Sequence, residues 1–173
     1  MIRQAIILLV YAGILGAAVN YFSPNSIPYV GEYRELSSGD GPIIPPSAGP
    51  GDPAFIAVNI AEDIFKTGGT MFVDARDPAE YECGTIPGSV NLPFEYLPEE
   101  NMEQYVDSIL GSAAKTQPLI VFCSGEECDL SLHLGRNLQA LGYTQISIFF
   151  GGSREWEKLG LEIERRADCA KTD

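Results

Sequence analysis

Positive charge is scarce in this sequence. Its 173 residues hold 11 Lys and Arg against 24 Asp and Glu, a net charge of −13. A nucleic-acid partner requires the opposite balance, so that class of function is set aside. The same acidic surface repels anionic small molecules unless local dipoles outweigh it. Histidine occurs once, at His133, and the four cysteines form no tight CxxC pairs. That spacing speaks against a structural zinc site, and neither a metal nor a cofactor is expected. No internal repeat is visible. What is present in quantity is apolar: 45% hydrophobic and 10% aromatic residues, enough for a packed core. The length fits one ordinary domain plus extensions.

The longest apolar run stands at the N-terminus, "MIRQAIILLVYAGILGAAVNYFSP". From Ala5 to Phe22 only Asn20 is strongly polar and no residue is charged, which is the short end of what spans a bilayer. Arg3 precedes the run and the next basic residue is Arg34. The positive-inside bias then leaves residues 1–4 in the cytoplasm, residues 5–22 as a single-pass anchor, and the rest on the periplasmic or extracytoplasmic side. A cleaved signal peptide is the competing reading, with Gly16 and Ala18 as small residues before the cut. The run's continuation through Val19, Tyr21 and Phe22 favours the anchor.

Residues 23–53 are rich in Pro, Gly and Ser and read as a tether, with "GPIIPP" more a plain linker than a packed segment. A domain follows over residues 54–165, and residues 166–173 form a polar tail. In "NIAEDIFKTGG", Asn59 and Glu62 read as a capping box and Gly68 as the stop. "TMFVDAR" is a buried strand. Asp77 caps a short helix with Pro78 at its first position and Gly84 at its end. "SVNLP" is a second short strand, and Met102, Tyr105, Ile109 and Leu110 keep helical spacing. "PLIVFC" is apolar on both faces, as a central parallel strand is. "DLSLHLGRNLQALGY" is amphipathic with Leu130, Leu134, Leu138 and Leu141 inward, followed by the strand "QISIFFGG" and a short helix "SREWEKLG". Alternating strands and helices predict an α/β fold: about five mostly parallel strands with helices on both faces.

The strand "PLIVFC" ends at a cysteine, Cys123, followed by a short loop and a helix. A thiol there lies at the carboxyl edge of the sheet, where α/β proteins bind ligands. Loop amides and the next helix N-terminus turn positive dipole toward it, which predicts a lowered thiol pKa and a stabilised anionic sulfur. A thiolate so formed needs no general base.

Taken together, "VDARDPAEYECGTIPGSVNLP", "IVFC" and "GGSREW" resemble, in order and spacing, the motifs of the rhodanese domain family over roughly Ile56 to Ile163. The leading apolar run resembles a membrane-attached bacterial subgroup. The resemblance implies a rhodanese-like fold and a sulfurtransferase of thiosulfate or persulfide type, moving sulfane sulfur from a small donor to a thiol acceptor through a persulfide on Cys123. Amides from Ser124 to Cys128 would cradle that sulfur.

The loop departs from the family pattern. It reads Cys123, Ser124, Gly125, Glu126, Glu127, Cys128, Asp129, with no basic residue. Cys128 stands where the family carries a loop arginine, and Thr85 stands at its G-H-I-P-G histidine. A dianion such as thiosulfate should bind poorly, so a persulfide or other weakly charged donor is favoured. Cys128 suggests further chemistry: a redox partner of Cys123, or a thiol that releases the persulfide as hydrogen sulfide and leaves a disulfide. It reads equally well as a small buried hydrophobe. Asp129 is a candidate helix N-cap, and Glu126 and Glu127 either solvated residues or selectors of a cationic partner. Asp74 and Arg76 read as a mainly structural strand-end pair beside the site. Arg154 is a possible cation there, Trp156 a core anchor, and His133 a surface or core residue. Cys83 is left open to a bridge, and Cys169 has no assigned role. Two readings of other classes stand beside sulfur transfer: a non-catalytic module binding a membrane-protein partner, and a Cys123/Cys128 dithiol redox protein.

Overall fold

In the computed structural model, residues 2–23, 41–111, 115–125, 128–167 and Cys169 are described. The chain divides into two compact units, residues 1–35 and 36–173. In the first, helix α1 (Ile2–Phe22) covers the stretch expected to cross a bilayer. Among the described residues, however, no helix is long and apolar enough to cross a membrane.

The second unit is an α/β domain. Its strands are β1 (Ala54–Phe55), β2 (Met71–Asp74), β3 (Val90–Asn91), β4 (Leu119–Phe122) and β5 (Ile146–Phe149). Its helices are α2 (Val58–Thr67), α3 (Pro78–Cys83), α4 (Met102–Leu110), α5 (Leu130–Ala140) and α6 (Gly152–Lys158), with a 3₁₀ turn at Phe94–Tyr96. The strand order is β1-β5-β4-β2-β3 and every pairing is parallel. As its apolar run predicted, β4 is central and buried at all four positions.

The period-2 alternation of β4 divides the core. Leu119, Val121 and Cys123 join Val106 and Leu110 of α4 and Leu134 and Leu138 of α5. Ile120 and Phe122 join Val58 and Ala61 of α2 and Trp156 of α6. Trp156 meets Phe65, Phe72 and Phe149 edge-on at centroid distances of 5.3, 6.2 and 6.3 Å. Each such contact is worth about 0.5–1.5 kcal/mol beyond area burial. The expected anchor role of Trp156 is therefore met. Cys123 points to the α4/α5 side, which sets what can surround its sulfur.

Local signals hold unevenly. Asp77 caps α3, accepting from Ala79 N at 2.7 Å with Pro78 at the start, and Gly68 closes α2 at φ 76°. The Asn59 capping box does not form. Helix α2 begins two residues earlier, behind Ala57, and Asn59 Oδ1 instead accepts from Ile60 N. The tether expectation also fails over residues 41–53. Ile43 is buried in the α4/α5-side core. Arg136 of α5 clasps the segment through Asp52, at 2.7 and 2.8 Å, and Ser47 O at 2.9 Å. One buried isoleucine and an ion pair to the neighbouring helix fasten this Pro-rich stretch.

Candidate functional site

Helix α6 builds the floor of the cysteine loop. A helix leaves its first N–H groups without helical partners. Here Ser153 N donates to Cys123 O at 2.9 Å and Arg154 N to Ser124 O at 3.1 Å. This approach requires Gly152, at φ 62°, because a β-carbon there would lie 2.2 Å from Cys123 O. The family-like "GG" is thus the contact that seats the loop. It also brings Arg154 to the site: a β-carbon at Gly125 would lie 3.7 Å from both Cβ and Cδ of Arg154. The exposed arginine runs along Gly125, in a loop without basic residues of its own.

Cys123 is fully buried. Its thiol donates to Cys128 O at 2.7 Å, with Ser131 Oγ at 3.5 Å and Gly125 O at 3.9 Å. Ser131, itself buried in the first turn of α5, was not anticipated. The signal available was a serine facing inward among the leucines. Burial pushes the Cys123 thiol well above its ordinary range, and the neighbouring Cys128 pushes it the same way; Ser131 and a Gly125 backbone bond oppose them. The expected lowering of this thiol therefore does not occur, because desolvation of the charged form outweighs the dipoles.

Cys128 is half-buried and lowered to about 6. The largest cause is the hydrogen bond from the Cys123 thiol; burial opposes it, while the Leu130 backbone, the Ser124 backbone and the Ser124 hydroxyl add to the lowering. The Cys128 amide does not join any cradle for Cys123, since it donates to Gly125 O at 2.9 Å. Asp129 occupies the N-cap position of α5 but makes no side-chain cap bond. His133 stacks on Phe94 at 5.4 Å, away from any acid–base role in the loop. Glu126 and Glu127 lie outside the described residues.

On the adjacent strand end, Asp74 and Arg76 form a closed network. The guanidinium reaches the carboxylate from Nε at 2.9 Å and from its terminal nitrogen at 2.5 Å, and also donates to Gly84 O at 2.7 Å. Thr85 Oγ1 donates to Asp74 Oδ2 at 2.8 Å and contacts Ser89 Oγ at 2.8 Å. Asn91 Nδ2 donates to the Asp74 and Arg76 carbonyls at 3.1 and 2.9 Å. Burial works against the Arg76 charge, but Asp74 more than offsets it and Cys123 contributes, so the guanidinium lies above its usual value. Held by Asp74 and Gly84, Arg76 acts on Cys123 as a nearby positive charge.

Cys83 and Cys169, which had no assigned partner, form a disulfide with a Cα separation of 5.4 Å. The C-terminal segment it fastens also pairs Glu164 with Thr85 through two backbone bonds of 2.9 Å. Arg166 caps the Tyr81 ring at 4.6 Å. Residues expected as a polar tail are thus stitched to α3 and the loop carrying Thr85.

A parallel sheet with a buried thiol at the end of its central strand defines an α/β protein of thiol chemistry. The profile of the rhodanese-like domain family matches residues 57–159, and the chain belongs to that family. A human thiosulfate:glutathione sulfurtransferase is 32% identical over 99 residues, covering 54% of this chain and 84% of its own length. An HTH-type transcriptional regulator of Mycobacterium tuberculosis is 25% identical over 108 residues, 62% of this chain, and this chain spans only 43% of that relative. Among solved structures, a human single-domain sulfurtransferase superposes with a TM-score of 0.50 at 25% identity, covering 62% of this chain and 97% of its own.

Proposed function

We propose that this protein is a sulfurtransferase that carries sulfane sulfur as a persulfide on Cys123 and takes it from a weakly charged donor of the persulfide class. The observation that carries the reading is Cys123 itself, at the carboxyl end of the central strand, held by α6 and faced by Cys128, Ser131 and the Arg76 charge. The sulfurtransferases among its relatives support the reaction class. The loop supports the donor class. Arg76 is engaged by Asp74 and Gly84, so the exposed Arg154 is the loop's available cation among the described residues. One exposed cation suits a single carboxylate or persulfide charge better than the two charges of thiosulfate. Placement outside the cytoplasm, with the Ala5–Phe22 run as membrane attachment, belongs to the same proposal. The Cys83–Cys169 disulfide supports it, because such bonds persist in oxidising compartments.

The test is intact-mass spectrometry of the reduced protein after exposure to glutathione persulfide and, separately, thiosulfate. A gain of one sulfur from the persulfide, absent in Cys123→Ala and weaker with thiosulfate, is expected. Equal loading of Cys123→Ala would overturn the role of Cys123. A dithiol redox activity is the second reading, favoured by two free cysteines in one loop whose contact is the Cys123 thiol donating to the Cys128 carbonyl at 2.7 Å. It predicts loss of two hydrogens under mild oxidant, abolished by changing either cysteine.

A further inference from the structure

One arginine beside the cysteine loop is left without a counter-charge. In the domain, Arg76 is held by Asp74, Arg136 by Asp52, Arg165 by Glu157 and Arg166 by Glu164. Arg154 is exposed, and among the described residues its side chain forms no ion pair. Its place is fixed by the backbone. The Arg154 amide donates to Ser124 O at 3.1 Å. Its stem runs along the buried Gly125, where a β-carbon would lie 3.7 Å from both Cβ and Cδ of the arginine. Gly125 also borders the thiol, since its carbonyl lies 3.9 Å from Cys123 Sγ. A single glycine is thus in contact with both the arginine and the proposed sulfur carrier. In a chain of net charge −13, a cation without a carboxylate beside it is where an anionic group is accepted.

From this we infer that Arg154 selects the donor by pairing with a carboxylate on its leaving group, so that the preferred donors are carboxylate-bearing persulfides of the amino-acid or peptide kind. The inference rests on the sulfurtransferase reading. In the loading step the Cys123 sulfur attacks the terminal sulfur of a donor RS–SH. A Cys123 sulfur–sulfur bond forms and the donor's sulfur–sulfur bond breaks. The leaving sulfur takes the electron pair of that bond and the proton that Cys123 gives up, and departs as RSH. One sulfur–sulfur bond replaces another, so no oxidant or reductant is consumed. The carboxylate belongs to R. It meets Arg154 while the donor is bound and departs with the thiol, so Arg154 acts on donor choice rather than on the stored sulfur. A guanidinium suits this role because it stays charged at every working pH and its planar fork takes both carboxylate oxygens. Arg76 is not available for it, since Asp74 and Gly84 O already hold that side chain.

The experiment measures sulfur loading of Cys123 in the full chain by mass, with short persulfides that differ in charge. Those of mercaptopropionate, mercaptoethanol and cysteamine carry a carboxylate, no charge and an ammonium group on similar stems. Loading rate against donor concentration gives an efficiency for each. The wild type should favour the carboxylate donor over the neutral one. Arg154→Gln should lower that ratio at least ~3-fold, through a higher half-saturating concentration of the carboxylate donor. Arg154→Lys should recover part of the ratio, and Arg154→Glu should turn the preference toward the ammonium donor. Added salt should shrink the wild-type ratio toward that of Arg154→Gln. A ratio that Arg154→Gln and Arg154→Glu leave unchanged overturns the inference and leaves the sulfurtransferase reading standing. So does an equal loss with all of these donors in Arg154→Gln, which would mean that the residue only seats the loop. Loading of the wild type by glutathione persulfide but not by the carboxylate donor also overturns it. If neither glutathione persulfide nor any of the short donors adds sulfur to wild-type Cys123, both readings fall.

Discussion

The four cysteines make two pairs in opposite states. Cys83 and Cys169, 86 residues apart, are joined; Cys123 and Cys128, five apart, are free and hydrogen-bonded. The joined pair lies where the chain is otherwise held by backbone bridges, an arginine on a tyrosine face and a surface ion pair. The free pair lies where α6, α5 and the sheet edge converge, with the Ser153 and Arg154 amides bound to the Cys123 and Ser124 carbonyls. The difference shows how context divides one functional group between structure and chemistry. A sulfur linked across a long loop restricts the unfolded chain. A sulfur at a strand end, with donors around one partner and burial around the other, separates proton from charge.

Reducing the long-range bond should produce the largest effect. Cys83→Ser/Cys169→Ser, or reductant alone, should lower unfolding stability by about 2–5 kcal/mol, the range for loss of a native disulfide. Denaturant titration checks this, with a steeper slope expected as the unfolded chain loses its constraint. Sulfur loading on Cys123, measured well below the midpoint, should persist, because that bridge fastens α3 to the C-terminal segment. A collapse of loading with stability intact would mean that the two pairs are coupled through Thr85, Asp74 and Arg76.

The free pair should reveal its asymmetry by pH. Alkylation requires the thiolate. With Cys128 lowered to about 6, its reaction with iodoacetamide should fall as pH drops through that region and level off above it. Cys123, raised by burial and by its neighbour, should stay slow throughout and begin to react only at alkaline pH. At neutral pH the ratio should be at least ~10-fold in favour of Cys128, read from peptide masses. A reversed ratio would exchange the roles of the two thiols.

Much of the fold is legible in short-range patterns. The unbroken apolar run of β4, Asp77 before Pro78, and glycine after Thr67 each specify a local answer that packing then accepts. What was not legible is long-range or comes down to a competition. Nothing in a separation of 86 residues pairs Cys83 with Cys169. Ile43 is buried in a segment that Arg136 of α5 holds through Asp52, a partner 84 residues away. Arg154 comes alongside Gly125 through the glycine-enabled contact of α6, not through the loop that lacks a cation. The Cys123 thiol was misread because dipoles can be counted along a chain, whereas the desolvation that outweighs them depends on what closes over the sulfur.

Asp129 provides the smallest and sharpest probe of the free pair. As a working N-cap, its replacement by alanine would cost about 1 kcal/mol. The side chain makes no cap bond, so that contribution is missing. What remains is a carboxylate near a helix N-terminus, worth about 0.3–1 kcal/mol when exposed, set against its repulsion of the adjacent Cys128 thiolate. These oppose each other, and Asp129→Ala should change stability by less than about 0.5 kcal/mol. The same substitution removes a negative charge beside the thiolate. It should shift the Cys128 alkylation profile toward lower pH and leave Cys123 unreactive. A stability loss of a full cap with no shift in that profile would place Asp129 with the scaffold rather than with the sulfur chemistry.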